Sequence, residues 1–251
     1  MTTDVVQTER RGQVALIKLN RPQARNAINV ELSQGLCDAV AAAHDAGCIV
    51  ITGADPAFCA GLDLRNLGAK TLAQLPSYTQ ALTASQVPLI AAVNGAAVTG
   101  GFEVALMCDF IVASERATFA DTHLRVGVYP GPVVVDLPRR VGMAWAREIS
   151  LSGNFVDAAT ALRIGLANHL VAHDQLLPFT MTIAEAIAEQ PRDMVLALRA
   201  DWDESMDVPV SEGRRVHHRH ALDGGFGRNR GEEIAARRDA VLARSRAQRE
   251  G

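Results

Sequence analysis

The stretch that most constrains this chain is residues 93–109, VNGAAVTGGFEVALMCD, in which a pair of glycines separates two apolar runs. Before it, residues 87–93 (VPLIAAV) form a short apolar run opened by Pro88, with the length and composition of a buried strand and not of an amphipathic helix. After it, Phe102 to Cys108 carries one acid among apolar residues, the pattern of a fully buried helix. Gly100 and Gly101 therefore stand where strand gives way to helix. Without Cβ atoms they let the backbone approach a ligand, and the first amides of a helix have no partner inside it and can receive negative charge. Glu103 follows one helical turn after Gly100, which aims a carboxylate near those amides. A buried, unpaired acid is costly, so Glu103 is a candidate for chemistry. The bland alternatives are tight helix packing for the glycines and a structural buried acid for Glu103.

Around this centre the chain reads as α/β. Val5 to Arg10 and Val14 to Asn20 flank an Arg-Gly turn, predicting a hairpin closed by Asn20-Arg21-Pro22. Asn29 caps a helix with Leu32, Leu36, Val40 and Ala43 on one face, and Gly47 stops it before the strand Cys48 to Thr52. Strand, helix and strand in succession imply a parallel sheet. The loop Gly53 to Asp63 leaves the carboxyl end of a strand, where α/β sheets place ligands, and its small Ala60 and Gly61 offer a second set of approachable amides. Residues 64–86, with Leu64, Leu67, Leu72 and Leu75 at partial helical spacing, read as a partly helical covering segment.

Downstream, Phe110 to Ala113 and Ala117 to Ala120 read as strands. The turn-rich DTHLRVGVYPGP that follows offers His123 as its evident acid-base group. Helical pattern covers Val133 to Val141 and Ala144 to Leu151, Asp157 caps a further helix, and Leu166 to Val171 is a last strand. Beyond Asp174 the chain reads as helical to its end, with breaks near Pro191, Pro209 and Gly224 to Gly227. The expected organisation is a core domain, residues 1–190, carrying the site, and a helical region, residues 191–251.

Composition narrows the function classes. A net charge of -3 and a pI near 6.2 argue against a chain devoted to nucleic acid or membrane surfaces. No apolar run reaches membrane-spanning length and MTTDVVQTERRG lacks a signal-peptide core, so a cytoplasmic location is expected. Cys37, Cys48, Cys59 and Cys108 show no metal-ligand spacing and read as free buried thiols. His217, His218 and His220 lie in an arginine-rich helical stretch and read as surface or interface residues in preference to metal ligands. The C-terminal arginines, interspersed with acids, read as a solvated or intersubunit face in preference to an RNA site.

Four ordered motifs resemble the crotonase superfamily, the enoyl-CoA hydratase and isomerase family. AFCAGLDL is similar to its first oxyanion-hole loop and NGAAVTGGFEVALMCD to its second. FADTHLRVGVYPG is similar to the segment carrying its second catalytic group, and NRPQARNAIN to its coenzyme A segment. The resemblance implies the crotonase fold of repeated ββα units with a helical C-terminal region that builds homotrimers, often paired as hexamers. It further implies backbone N–H groups of Ala60 and Gly100 in the oxyanion hole, and Ala24, Arg25, Leu62 and Asp63 along the coenzyme A channel. Glu103 matches the first catalytic glutamate. His123 stands where the hydratases have a second glutamate.

The reaction this implies is hydration of an enoyl-CoA, with an acyl-CoA substrate, no metal and no cofactor beyond the coenzyme A of the substrate, in a setting such as fatty-acid β-oxidation. Two fixed amides can hold charge on the thioester oxygen while Glu103 orients and deprotonates water and His123 serves as its proton-exchanging partner. The alternatives are an enoyl-CoA isomerase or another thioester-enolate enzyme, and a catalytically weak acyl-CoA binding protein. His123 as a loop histidine without chemistry stays open at this point.

Overall fold

The computed structural model describes residues 5–63, 65, 76–223 and scattered positions between 231 and 246. The expected covering helix through Leu64, Leu67, Leu72 and Leu75 and the break at Gly224 to Gly227 lie outside the described residues, as do Arg228, Arg230 and Val241. By its own contacts the chain divides into two compact units, residues 1–192 and 193–251.

In the first unit, β1 (Val6–Arg11) and β2 (Val14–Leu19) form the antiparallel hairpin, with Gly12 in the left-handed region its turn requires (φ 57°). Asn29 then accepts the N–H of Leu32 at 2.9 Å and starts α1 (Val30–Ala42), a cap worth about 1 kcal/mol. Leu32, Leu36 and Val40 bury the inner face of α1, about 2 kcal/mol for each large side chain removed from water. The chain continues through β3 (Cys48–Gly53), β5 (Leu89–Val93), β7 (Phe110–Ser114) and β10 (His169–Val171). These add in parallel, giving a six-stranded sheet of order β1-β2-β3-β5-β7-β10.

Alternation along the strands sends Ile49, Ile51, Leu89, Ala91 and Val93 into the core that includes Leu32 and Leu36 of α1. Cys48, Val50, Ile90, Ala92 and Val112 face the other way, onto Leu176, Met181 and Ala184 of a helix at Leu176–Ala188. Both faces of the sheet are covered, which is why its strands read as unbroken apolar runs.

A second, four-stranded sheet runs β4-β6-β8-β9, from β4 (Ala57–Cys59), β6 (Ala96–Val98), β8 (Thr118–Ala120) and β9 (Val156–Asp157). β4, β6 and β8 are mutually parallel, and each follows a strand of the large sheet, β3, β5 and β7. The expected α/β architecture of repeated ββα units is thus present, with an addition: between the strand ending at Val93 and Gly100 lies a second strand, β6, that the pattern does not mark. At three residues β6 is too short for periodicity to reveal it. Helix α2 (Tyr78–Thr83) lies in the described part of the covering segment and α3 (Gly100–Leu106) follows β6. α4 (Val133–Ser152) bends at Gly142 (φ 79°), the two helical pieces the pattern predicts. Asp157 caps α5 (Ala158–Arg163) through the N–H of Thr160 at 2.7 Å, α6 is the Leu176–Ala188 helix, and α7 (Arg192–Ser205) leaves the unit.

In the second unit, α7 is joined by α8 (Val210–Asp223). Buried Asp201 accepts from Nδ1 of His217 at 2.6 Å, and Glu204 takes His220 at 2.7 Å together with Arg219. His217 and His220 are thus paired with carboxylates within the unit. Cys48, Cys59 and Cys108 are buried free thiols, whereas Cys37 is only half-buried. Among the described residues no helix is long and apolar enough to cross a membrane.

Candidate active site

The small sheet brings together loops that are far apart in sequence. Side by side, the carboxyl ends of β4, β6 and β8 lead into residues 60–63, 99–103 and 121–123. Carboxyl ends of parallel strands are where α/β sheets bind ligands.

The first loop is held by the segment Arg21 to Ile28, which contains Ala24 and Arg25. Arg25 and Asn26 both lie in the left-handed region (φ 51° and 56°), a turn that drives the Asn26 side chain inward until it is fully buried. Its amide group donates to the carbonyls of Ala54 at 2.8 Å, Ala57 at 2.7 Å and Phe58 at 3.2 Å. Arg21 reaches the carboxylate of Asp63 at 3.1 Å, so that acid is engaged inside the protein.

Ala60 departs from expectation. Its N–H donates to the Arg25 carbonyl at 3.0 Å and is therefore already used. Ile28 bridges the same loop, its N–H going to the Gly61 carbonyl at 2.7 Å and its carbonyl taking the N–H of Asp63 at 2.9 Å. Such a bridge turns the N–H of Leu62 to the opposite side, where it meets no acceptor among the described residues. The amide this loop offers is that of Leu62, a residue expected only along the coenzyme A channel.

The second loop enters α3 through Thr99, a β-branched residue at φ 52°, a conformation that costs about 1–3 kcal/mol. Cross-ties hold it there: Thr99 N–H donates to the Ala120 carbonyl at 2.9 Å, and its hydroxyl pairs with that of Thr122 at 2.9 Å. The strained turn sets the direction of Gly100, whose N–H opens the helix without an intrahelical acceptor. The two glycine loops are in contact: a Cβ placed on Gly61 would lie 3.3 Å from the Gly100 nitrogen, and one on Gly101 would lie 2.1 Å from the Cys59 carbonyl oxygen. The buried Tyr78 of α2 brings its hydroxyl to 2.9 Å from where a Cβ of residue 100 would stand.

The third loop brings His123 against Glu103 of the second. His123 and Glu103 are both buried, with Nε2 of His123 4.0 Å from Oε1 of Glu103. Nδ1 of His123 lies 2.6 Å from Oδ1 of Asp121, itself 1% exposed. A carboxylate at that distance accepts the hydrogen bond of Nδ1–H, which leaves Nε2 facing Glu103. Burial alone would raise Asp121, but its hydrogen bonds, led by that from His123, hold the carboxyl below its ordinary value. At Glu103 burial wins and pushes the carboxyl above its ordinary value, against the pull of His123 and of the backbone N–H groups of Val133 and Gly131. Its Oε1 is buried with no hydrogen-bond partner among the described residues. Gly131 leaves room for it, since a Cβ there would stand 2.8 Å from that oxygen.

The structure thus brings together Glu103, His123, Gly100 and Leu62 with the Ala24, Arg25 and Asp63 segment behind them. Sequence reasoning missed Asp121, Tyr78 and the strain at Thr99. The Asp-Thr-His spacing was a visible signal for Asp121; Tyr78 carried none, because nothing local says which way a covering segment folds. Among the described residues no group of three His, Cys, Asp or Glu side chains is set to hold a metal ion.

A family profile for enoyl-CoA hydratase/isomerase matches residues 9–222 of the chain. A probable enoyl-CoA hydratase of Rhizobium meliloti (strain 1021) is 38% identical over 229 residues, covering 87% of this chain and 89% of that protein. A crotonyl-CoA hydratase of Syntrophomonas wolfei is 33% identical over 220 residues, covering 83% and 85%. The crystal structure of an enoyl-CoA hydratase from Mycobacterium avium superposes with a TM-score of 0.74 at 40% identity, covering 92% of this chain and all (100%) of that one.

Proposed function

The chain belongs to the enoyl-CoA hydratase/isomerase family, and on that premise we propose how its own residues act. It is an enoyl-CoA hydratase: it adds water across the 2,3 double bond of an enoyl-CoA thioester. In the proposed mechanism the thioester oxygen lies between the N–H groups of Leu62 and Gly100. As water attacks C3, electrons move through C2 onto that oxygen, and two prepaid donors lower the barrier by ~3 kcal/mol each.

Water sits between Glu103 and His123, whose 4.0 Å separation lets one oxygen lie about 2.8 Å from both. Glu103 takes a proton as the water oxygen bonds to C3. His123, carrying a proton on each ring nitrogen with its Nδ1–H held by Asp121, delivers its Nε2 proton to C2 as the enolate collapses and is left with Nδ1–H alone. A proton passing from Glu103 back to Nε2 resets the pair, and the sum is one water added. The reaction as written balances on these groups alone, without a metal or redox cofactor. Ala24, Arg25, Leu62 and Asp63 line the coenzyme A side, mainly through backbone contacts.

The observation that carries this reading is the unpartnered Oε1 of Glu103 facing the free nitrogen of a histidine anchored by Asp121. Hydration of crotonyl-CoA, followed by loss of the enoyl-thioester absorbance, tests it in three variants. Glu103→Gln and His123→Ala are each expected to lose about 10²-fold or more in kcat. His123→Glu is expected to retain activity. Full activity in Glu103→Gln overturns the mechanism. Conversion of a 3-enoyl-CoA that survives His123→Ala, without hydration, assigns the chain to double-bond isomerisation on Glu103 alone.

Self-association as a homotrimer or hexamer is part of the proposal. Met194, Leu198, Ile234 and Leu242 are large apolar side chains left exposed in the single chain, which supports an intersubunit role. Sedimentation as a stable 26.8 kDa monomer would contradict it.

A further inference from the structure

Tyr78 is a buried phenol whose hydroxyl has no assigned work. Its ring belongs to the main core and the residue is 5% exposed. Its backbone is fixed: Tyr78 N–H donates to the Pro76 carbonyl at 2.9 Å, the Ser33 hydroxyl of α1 donates to the same carbonyl at 2.6 Å, and Ser77 caps α2 through the N–H of Gln80 at 3.2 Å. The hydroxyl is thereby delivered to the start of α3. A Cβ added to Gly100 would meet it at 2.9 Å, the Ile28 Cδ1 at 3.5 Å and the Gly61 Cα at 3.7 Å. Among the described residues it meets no hydrogen-bond acceptor. Burial, and then the charges of Glu103 and Cys59, push its ionisation upward, so it remains an O–H donor.

Although the ring is buried, the hydroxyl oxygen itself is not sealed off, and it stands between two loops whose own N–H groups are also free. The geometry points to Tyr78 as a third donor to the thioester oxygen, beside the N–H groups of Leu62 and Gly100, and therefore to a further catalytic residue. This rests on the oxyanion reading given above. A phenol donates more strongly to an oxygen that carries negative charge than to a neutral carbonyl. Its contribution accordingly grows as the enolate forms, which is the condition for raising kcat instead of merely tightening binding.

Tyr78→Phe removes the hydroxyl and keeps the ring in the core. The expected loss in kcat for crotonyl-CoA hydration is roughly 10- to 100-fold, less than for a backbone donor, with KM changed by about twofold at most. Binding supplies the second measurement. Acetoacetyl-CoA, which presents a stable enolate whose absorbance reports its bound fraction, is expected to bind ~10-fold more weakly to Tyr78→Phe, whereas saturated butyryl-CoA binds as before. Unchanged affinity for acetoacetyl-CoA overturns the proposal, and equal weakening of both ligands reduces Tyr78 to a packing residue and overturns it too. A protein that binds both ligands but hydrates nothing would refute the hydratase mechanism, while the ratio of the two affinities would still decide the role of Tyr78.

Discussion

Gly101→Ala separates local propensity from tertiary structure, because the two forecast opposite signs. Gly101 is the second residue of α3 and lies outside the left-handed region, so by helix propensity alone alanine should stabilise by about 1 kcal/mol. The new Cβ, however, would stand 2.1 Å from the Cys59 carbonyl oxygen and 2.7 Å from both the carbonyl carbon and the Cβ of Cys59. Ordinary carbon–oxygen contact begins near ~3.3 Å, so the two loops must part by about 1 Å. Overpacking of this kind costs ~1–3 kcal/mol, and backbone on both sides of the contact places it at the upper end. Net destabilisation of about 2 kcal/mol is expected. The same displacement separates the N–H of Leu62 from that of Gly100, and ~1 Å of misplacement at reacting groups costs about 10²-fold in rate. Urea unfolding gives the first quantity, and kcat for crotonyl-CoA hydration at concentrations where the variant is folded gives the second. A variant as stable as the parent with full kcat would refute the contact between the loops and the hole built on it.

Glu103→Gln should slow hydration yet stabilise the fold. With the folded carboxyl raised above its ordinary 4.5, the parent is favoured below that pH and loses stability as pH rises through the raised value. The melting temperature of the variant should accordingly pull ahead between acid and neutral pH; a constant gap would count against a buried ionisable Glu103. Asp121, held low, works in the opposite sense: its contribution is present above the ordinary carboxylate range and lost as pH falls through the lowered value. Asp121→Asn should thus be destabilised at neutral pH with the deficit closing in acid. It should also lose about 10²-fold in kcat with little change in acyl-CoA affinity, and nitrogen NMR should find the Nδ1–H of His123 no longer hydrogen-bonded to a carboxylate. Asn26→Ala strips donors from three buried carbonyls and should cost more than ~3 kcal/mol in chemical denaturation; a loss under ~1 kcal/mol would show that the loop holds itself.

The large sheet and α1 were legible because burial writes them into the pattern. Apolar runs such as CIVIT mark strands covered on both faces, and Asn29 ahead of Leu32 and Leu36 marks a capped helix. Glu103 and His123 were legible as candidates, since a lone acid in an apolar helix and a histidine in a turn-rich loop stand out against their surroundings, and the fold sets them 4.0 Å apart. Of the small sheet only β8 was, read from Ala117 to Ala120; β4, β6 and β9, of two or three residues each, carry no period. Nor was the choice between Ala60 and Leu62 as donor. That depends on which way each amide turns, and the turn is imposed by Arg25 and Ile28, more than thirty residues away in the chain (Ala60 to Arg25, Leu62 to Ile28). Tyr78 illustrates the same limit, its place beside Gly100 depending on the tie of the Pro76 carbonyl to Ser33, 43 residues away in the chain.

The ladder β4-β6-β8 has a consequence for how such a protein changes over generations. Neighbouring strands keep a spacing of ~4.8 Å whatever their side chains, so the roots of the three loops stay in register while their tips vary. Leu62 and Gly100 belong to the first two roots and contribute only backbone, so their donors do not depend on which side chain position 62 carries. Position 123 belongs to the third root and contributes a side chain. Drift there alters which protons move without moving the place where charge collects, provided Thr122 keeps its tie to Thr99. A library confined to residues 123–126, leaving Asp121 and Thr122 alone, would therefore sample new proton chemistry on an inherited anion cradle.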